Sequence, residues 1–254
     1  MSARSKKGRD GGKKNGRVEG GKVSASDDTA RRIRAESRWP AVVGILLALL
    51  LYAALPSDFP TVLRVVVVVL GLILLIPVVV LNPRVLNRET RWSRTLSVAQ
   101  ALLLVVANQV ALGILIHILV VASKADGPAV LLAAVQVWGT NIIAFGLLSW
   151  ELDRGGPVAR RLRIRAEVQR ADFRFPQDED SDAVVEVASR SSDVSDWMPG
   201  YFDYAYFSLS NSMAFSPTDV MPLSTRAKAF MALEAVAAFI ILALVIARAV
   251  SLLG

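Results

Sequence analysis

Charge is segregated in this chain. The ionisable residues crowd into residues 1–39, 82–94 and 151–200, and almost everything between them is apolar. A bilayer imposes this pattern, because each crossing needs roughly 20 uncharged residues to span about 30 Å of hydrocarbon. Five such runs are present: Ala41–Leu55, Thr61–Leu81, Leu96–Ala122, Ala129–Trp150 and Ala229–Leu253. The second is dense in valine, which in water would suggest strands. In lipid the backbone must satisfy its own hydrogen bonds, so it reads as a helix. The expected fold is all-α: an integral membrane helical bundle of five transmembrane helices plus one short re-entrant or interfacial half-helix.

The boundaries follow from punctuation. Residues 1–38 are rich in Gly, Lys, Arg and Ser and hold no aromatic residue. They cannot bury enough apolar surface to offset ordering entropy, so a disordered basic tail is expected. Asp27, Asp28 and Thr29 could cap a short helix near Asp28–Arg38. No apolar segment precedes Ala41, so no cleavable signal peptide is expected, and the first run serves as the anchor. Trp39 and Pro40 suit an interfacial helix start. Residues 39–151 then carry four spans, 152–200 a charged linker, and 201–254 a half-helix with the last span.

Orientation follows from the basic residues. With the tail cytoplasmic and the spans alternating, all of the 29 lysines and arginines except Arg64, Lys124 and Arg248 fall on the cytoplasmic side. That is the positive-inside pattern, and it implies a multi-pass protein of the plasma (inner) membrane with its N-terminus inside and its C-terminus outside. The net charge of +7 then serves topology and contact with anionic lipid head groups. Nucleic acid is not an expected partner, since the basic tail lacks interleaved aromatic residues. Within 151–200, arginines from Arg154 to Arg174 precede an acidic run from Asp178 to Asp196. The segment reads as a solvated linker, or as an arginine helix lying on lipid with the acidic run held off.

Catalysis is not expected. Cysteine is absent and His117 is the only histidine, so thiolate chemistry and multi-histidine metal sites are excluded. No phosphate loop or nucleophile elbow is present, and Asp203, Asp219 and Glu234 read as capping or structural carboxylates. No cofactor is implied. Polar residues inside spans are costly and mark candidate sites. They are Asn108, Gln109 and His117 in the third span, and Gln136, Thr140 and Asn141 in the fourth. Gln136 and Thr140 share a helix face. Arg64 can snorkel. Glu234 lies about two turns into the last span, roughly 12 Å along the axis from Arg226. A lone carboxylate there should be neutral, paired or facing water.

Tyr204–Phe215 is only about a dozen residues and too short to cross. The stretch Tyr206, Phe207, Ser208, Leu209, followed by Asp219 and then Pro222, Leu223, Ser224, resembles the pore loop of potassium channels. Those loops read YFSLxTxTTVGYGDxxPxT before a basic residue and an inner helix. Ala214–Thr218 stands where TVGYG would be, without its glycines, so the resemblance carries over no selectivity. A broader resemblance, most specific over 197–228, is to an uncharacterised family of bacterial membrane proteins, domain of unknown function 1345. It rests on Gly155 with Gly156, Phe175 with Pro176, the run from Pro199 to Ser208, Thr218 with Asp219, and Arg226. That family implies four spans, a linker, an aromatic stretch and a last span, and no activity.

Two functions compete. In the first, Ser208, Asn211, Ser212, Ser216, Thr218 and Asp219 line a polar vestibule, Glu234 attracts cations, and a homo-oligomer forms a channel-like permeation pathway. In the second, the protein is a non-transporting scaffold or regulatory protein that binds partners through its tail and linker.

Overall fold

The computed structural model describes residues 36–81, 91–121, 127–163, 165–214 and 219–253. The basic tail up to residue 35, most of the loop 82–94, and Ser216 and Thr218 of the expected vestibule lie outside them. Five apolar helices make the frame: α1 (Trp39–Ala53), α2 (Thr61–Leu81), α3 (Arg91–Val121), α4 (Gly127–Leu152) and, last in the chain, α9 (Thr225–Leu253). Four of these, α2, α3, α4 and α9, are long and apolar enough to cross a membrane. The first has 15 residues. At 1.5 Å per residue it reaches about 22 Å, short of a typical hydrocarbon core. The five expected spans thus appear as four long helices and one short apolar one. The chain turns after Ala53, with the amides of Ala54 and Leu55 closing back on Leu50 and Tyr52.

The ends of these helices alternate. Arg38, just before α1, donates to the Val78 carbonyl near the end of α2 at 2.7 Å and to Ser97 near the start of α3 at 3.4 Å. Burial lowers the Arg38 guanidinium from its ordinary range, and Glu151 at the end of α4 opposes that shift. Arg226, starting α9, donates to the Leu152 carbonyl at 3.3 Å. All these termini thus share one end of the bundle. At the opposite end Gln136 donates to the Ala54 carbonyl at 3.0 Å.

The hub is α4. Its apolar window is 61% buried inside the protein, against 22% for α2 and 28% for α9. It packs against α1, α3, α9 and the half-helix α8 (Tyr201–Ala214). Small residues let the backbones approach. A Cβ on Gly146 would sit 3.2 Å from the Ala205 Cα of α8.

Between α4 and α8 lies a folded cap. It holds α5 (Pro157–Leu162), α6 (Val185–Ala188), α7 (Ser192–Ser195) and the strand β1 (Phe173–Arg174). The strand pairs antiparallel with β2 (Met221–Pro222), Phe173 opposite Pro222. Residues 181–187 of the expected solvated linker are exposed, but two of its arginines, Arg154 and Arg160, lie neither in solvent nor on lipid. Arg160 is 1% exposed, donates to the Trp150 carbonyl at 2.7 Å, and lies over the Trp150 and Tyr204 rings at 5.7 and 5.1 Å. Arg154 bonds Asp178 at 2.5 Å, tying the basic half to the acidic half. Aromatic faces and carboxylates of the chain itself take the place expected for lipid phosphates. The cap starts with a sharp turn at Gly155 and Gly156, whose φ values of +84° and +93° suit residues without a Cβ.

Candidate functional site

The site is built on α8. At its start the backbone N–H of Tyr201 donates to Glu36 Oε1 at 2.7 Å, and Trp150 Nε1 donates to the same oxygen at 3.0 Å. Asp203 accepts from the Gly200 amide at 2.7 Å, a cap of the kind its position suggests. Orphan helix amides are thereby satisfied. Nearby, Arg161 donates to the Met198 carbonyl at 2.7 Å, and burial lowers its guanidinium from the ordinary range.

From that cap α8 runs antiparallel along α4. The Tyr201 ring meets Trp150 edge-on at 5.8 Å, Ala205 lies on Gly146, and Ser208 donates to the Ile142 carbonyl at 2.8 Å. Fourteen residues carry it about 21 Å into the bundle. The chain then returns. Leu223 N–H donates to the Asp172 carbonyl at 2.7 Å, and Arg226 and Ser224 bond the Asp172 carboxylate. Both ends of the segment therefore sit at the cap end of the bundle.

The helix has two faces. Outward it exposes Phe202, Tyr206 and Met213. Inward it buries Ser208, Asn211 and Ser212, and all three converge on Glu234 of α9, which is 1% exposed. Ser208 and Ser212 share Glu234 Oε1, the latter at 3.3 Å, while Asn211 Nδ2 donates to Oε2 at 2.8 Å and to the Met231 carbonyl at 3.2 Å. No ion pair to Glu234 is present among the described residues.

The polar line continues into α3 and α4. Asn141 Nδ2 donates to the Glu234 carbonyl at 3.3 Å and its Oδ1 accepts from Asn108 at 2.8 Å. Thr140 Oγ1 donates to Asn108 Oδ1 at 2.7 Å. Three residues of the third and fourth helices thus reach the Glu234 backbone carbonyl through one buried seam. Gln136, a turn below Thr140, stands apart on Ala54. Its Oε1 has no hydrogen-bond partner among the described residues. Gln109 is half-buried and does not join, and His117 and Asp219 are exposed. Ser208, Asn211 and Ser212 face Glu234 in this structure and do not open onto a vestibule. An apolar groove of about 260 Å³, bordered by Trp138, Ser212, Met213, Ile241 and Val245, lies at the last turn of α8.

Sequence reasoning did not foresee the second cluster at the cap, where Glu36, Trp150, Asp153, Arg160 and Tyr204 lock the root of α8. The one local signal was the density of aromatic residues after Trp197. Among the described residues no group of three or more His, Cys, Asp or Glu could hold a metal ion. No protein-family model matches the chain. No curated protein and no solved structure matches it either.

Proposed function

We propose that this chain is an ion-permeation element of the plasma (inner) membrane, working as a homo-oligomer with its N-terminal tail in the cytoplasm. In this reading α1 is the fifth crossing, its short length met by local thinning and by flanking residues that snorkel. The basic tail and the loop after α2 contact anionic head groups. The resemblance of residues 197–228 to the uncharacterised family belongs to the same proposal and adds no activity.

One observation carries it. A carboxyl group buried on an apolar helix is held by three uncharged polar side chains of a half-helix whose two ends lie at one end of the bundle. Intramembrane carboxylates are costly and are kept where ions or protons pass. Half-helices at membrane depth are tolerated where they are buried in protein or line a cavity.

The experiment is cation flux into liposomes carrying the purified chain. Flux above empty liposomes that is lost in Glu234→Gln supports the reading. Equal and negligible flux for both, across voltages, salts and pH, sinks it.

The scaffold reading keeps one supporting observation. Val184, Val185 and Val194 of the cap are exposed at 61%, 82% and 64%, apolar side chains available to a partner protein. A pull-down lost on replacing these valines by serine, with flux absent, would move the conclusion there.

A further inference from the structure

Beside Glu234 the hydroxyl of Ser208 has more acceptors than hydrogens. Ser208 has a single hydroxyl hydrogen, yet its oxygen stands against two acceptors, the Ile142 carbonyl at 2.8 Å and Glu234 Oε1. With an ionised carboxylate, the two contacts must share that one hydrogen. With a proton on Oε1 each contact has one. The Glu234 O–H donates to Ser208, Ser208 donates to Ile142, and Asn211 donates to Oε2. The orientation of Asn211 is fixed by chemistry, since both neighbours of its Nδ2, the Met231 carbonyl and Glu234 Oε2, are acceptors.

A metal ion fits the same atoms poorly. Sodium-like or calcium-like ions take several oxygen ligands, about six to eight for calcium. Here Asn211 presents its nitrogen, and the Met231 and Ile142 carbonyls already accept from Asn211 and Ser208. That leaves the carboxylate and two serine hydroxyls. The groups facing Glu234 from the helices packed on it are Ser208, Asn211 and Ser212 of α8 and Asn141 of α4, with Asn108 of α3 behind, and all are uncharged. Tyr204, a turn earlier on α8, points its hydroxyl away to Asp153. Within its own helix no charged residue lies within a turn of Glu234.

From this geometry we infer that the Glu234 site takes up a proton and not a metal cation, with Ser208 as the acceptor of the Glu234 O–H. The inference builds on the permeation reading, whose ion it names. The proton arrives from water, rests on Oε1, and leaves to water.

The test uses the full chain in lipid nanodiscs and in liposomes. The infrared spectrum at neutral pH should contain the carbonyl stretch of a protonated carboxyl that disappears in Glu234→Gln. The same band should shift in Ser208→Ala, which keeps the carboxyl and removes its acceptor. Circular dichroism confirms that both variants fold. Identical spectra for wild type and Glu234→Gln in this region, with both folded, would overturn the inference. In liposomes, proton flux driven by a potassium diffusion potential should fall to the level of empty vesicles in Glu234→Gln. Sodium or potassium flux without proton flux overturns the proton assignment and leaves permeation standing. The protonated band without any flux supports the site assignment and removes permeation.

Discussion

Tyr204 and Asp153, 51 residues apart in the chain, meet hydroxyl to carboxylate at 2.5 Å in the fully buried root of the half-helix. Asp153 also accepts from the amides of Asp172 and Phe173 on its other oxygen, at 2.6 and 3.3 Å. It therefore holds α4, β1 and α8 together. Tyr204→Phe keeps the ring packed on Phe175 and Phe173 and removes only the donor. Leaving a buried acceptor short of a partner costs about 1–3 kcal/mol. Thermal unfolding in detergent should show a lowered Tm. An unchanged Tm would mean that the Asp153 oxygen finds another donor at no cost.

Gly146 sets the spacing of α4 and α8. A side chain there meets the Ala205 backbone, which cannot swing aside as a flexible side chain would. Gly146→Leu should destabilise by about 1–3 kcal/mol or more through overpacking. Gly113 in α3 provides the control, since nothing lies within 4 Å of where its Cβ would be. Gly113→Leu should leave the melting curve close to wild type. Equal effects of the two substitutions would argue against the close α4–α8 contact.

The seam between α3 and α4 is testable by coupling. Asn108 and Asn141 share a hydrogen bond at 2.8 Å, both fully buried. Interhelical bonds of this kind in membranes couple by about 0.6 kcal/mol on average and reach about 1.7. A double-mutant cycle of Asn108→Ala and Asn141→Ala should return a coupling energy in that range. Strictly additive effects would mean the two amides act separately.

The absence of cysteine from the sequence allows a topological test. Asp219 and Asp58 are both exposed, the first on the return from α8 and the second in the turn between α1 and α2. The fold puts these turns at opposite ends of the bundle. Asp219→Cys and Asp58→Cys should react with a membrane-impermeant thiol reagent from opposite sides of sealed vesicles. Labelling of both from the same side would contradict this arrangement.

Much of the frame is legible in the amino-acid order because it depends on local hydrophobicity alone. The second apolar run and α2 share the bounds Thr61–Leu81. Contacts between distant segments were harder to read. The half-helix starts at Tyr201, three residues before the apolar run suggests, because Glu36 caps it from 165 residues away. The sequence singled out Glu234 and the serines of α8 separately. Their meeting depends on α8 and α9 lying side by side, which no periodicity encodes. Arg160 looks like a solvated or lipid-facing charge for the same reason, since its rings and its carboxylate partner come from other segments.

Glu36 has a consequence for the order in which the protein matures. Its carboxylate accepts from Trp150, Arg160 and Tyr201, and all three follow it by more than a hundred residues. During synthesis α1 therefore leaves the ribosome before any of the three, and Glu36 stays hydrated until Trp150 and Arg160 emerge. Closure of that end is a late event, and a ribosome paused before Tyr201 would hold the first four apolar helices with that end still lacking its half-helix.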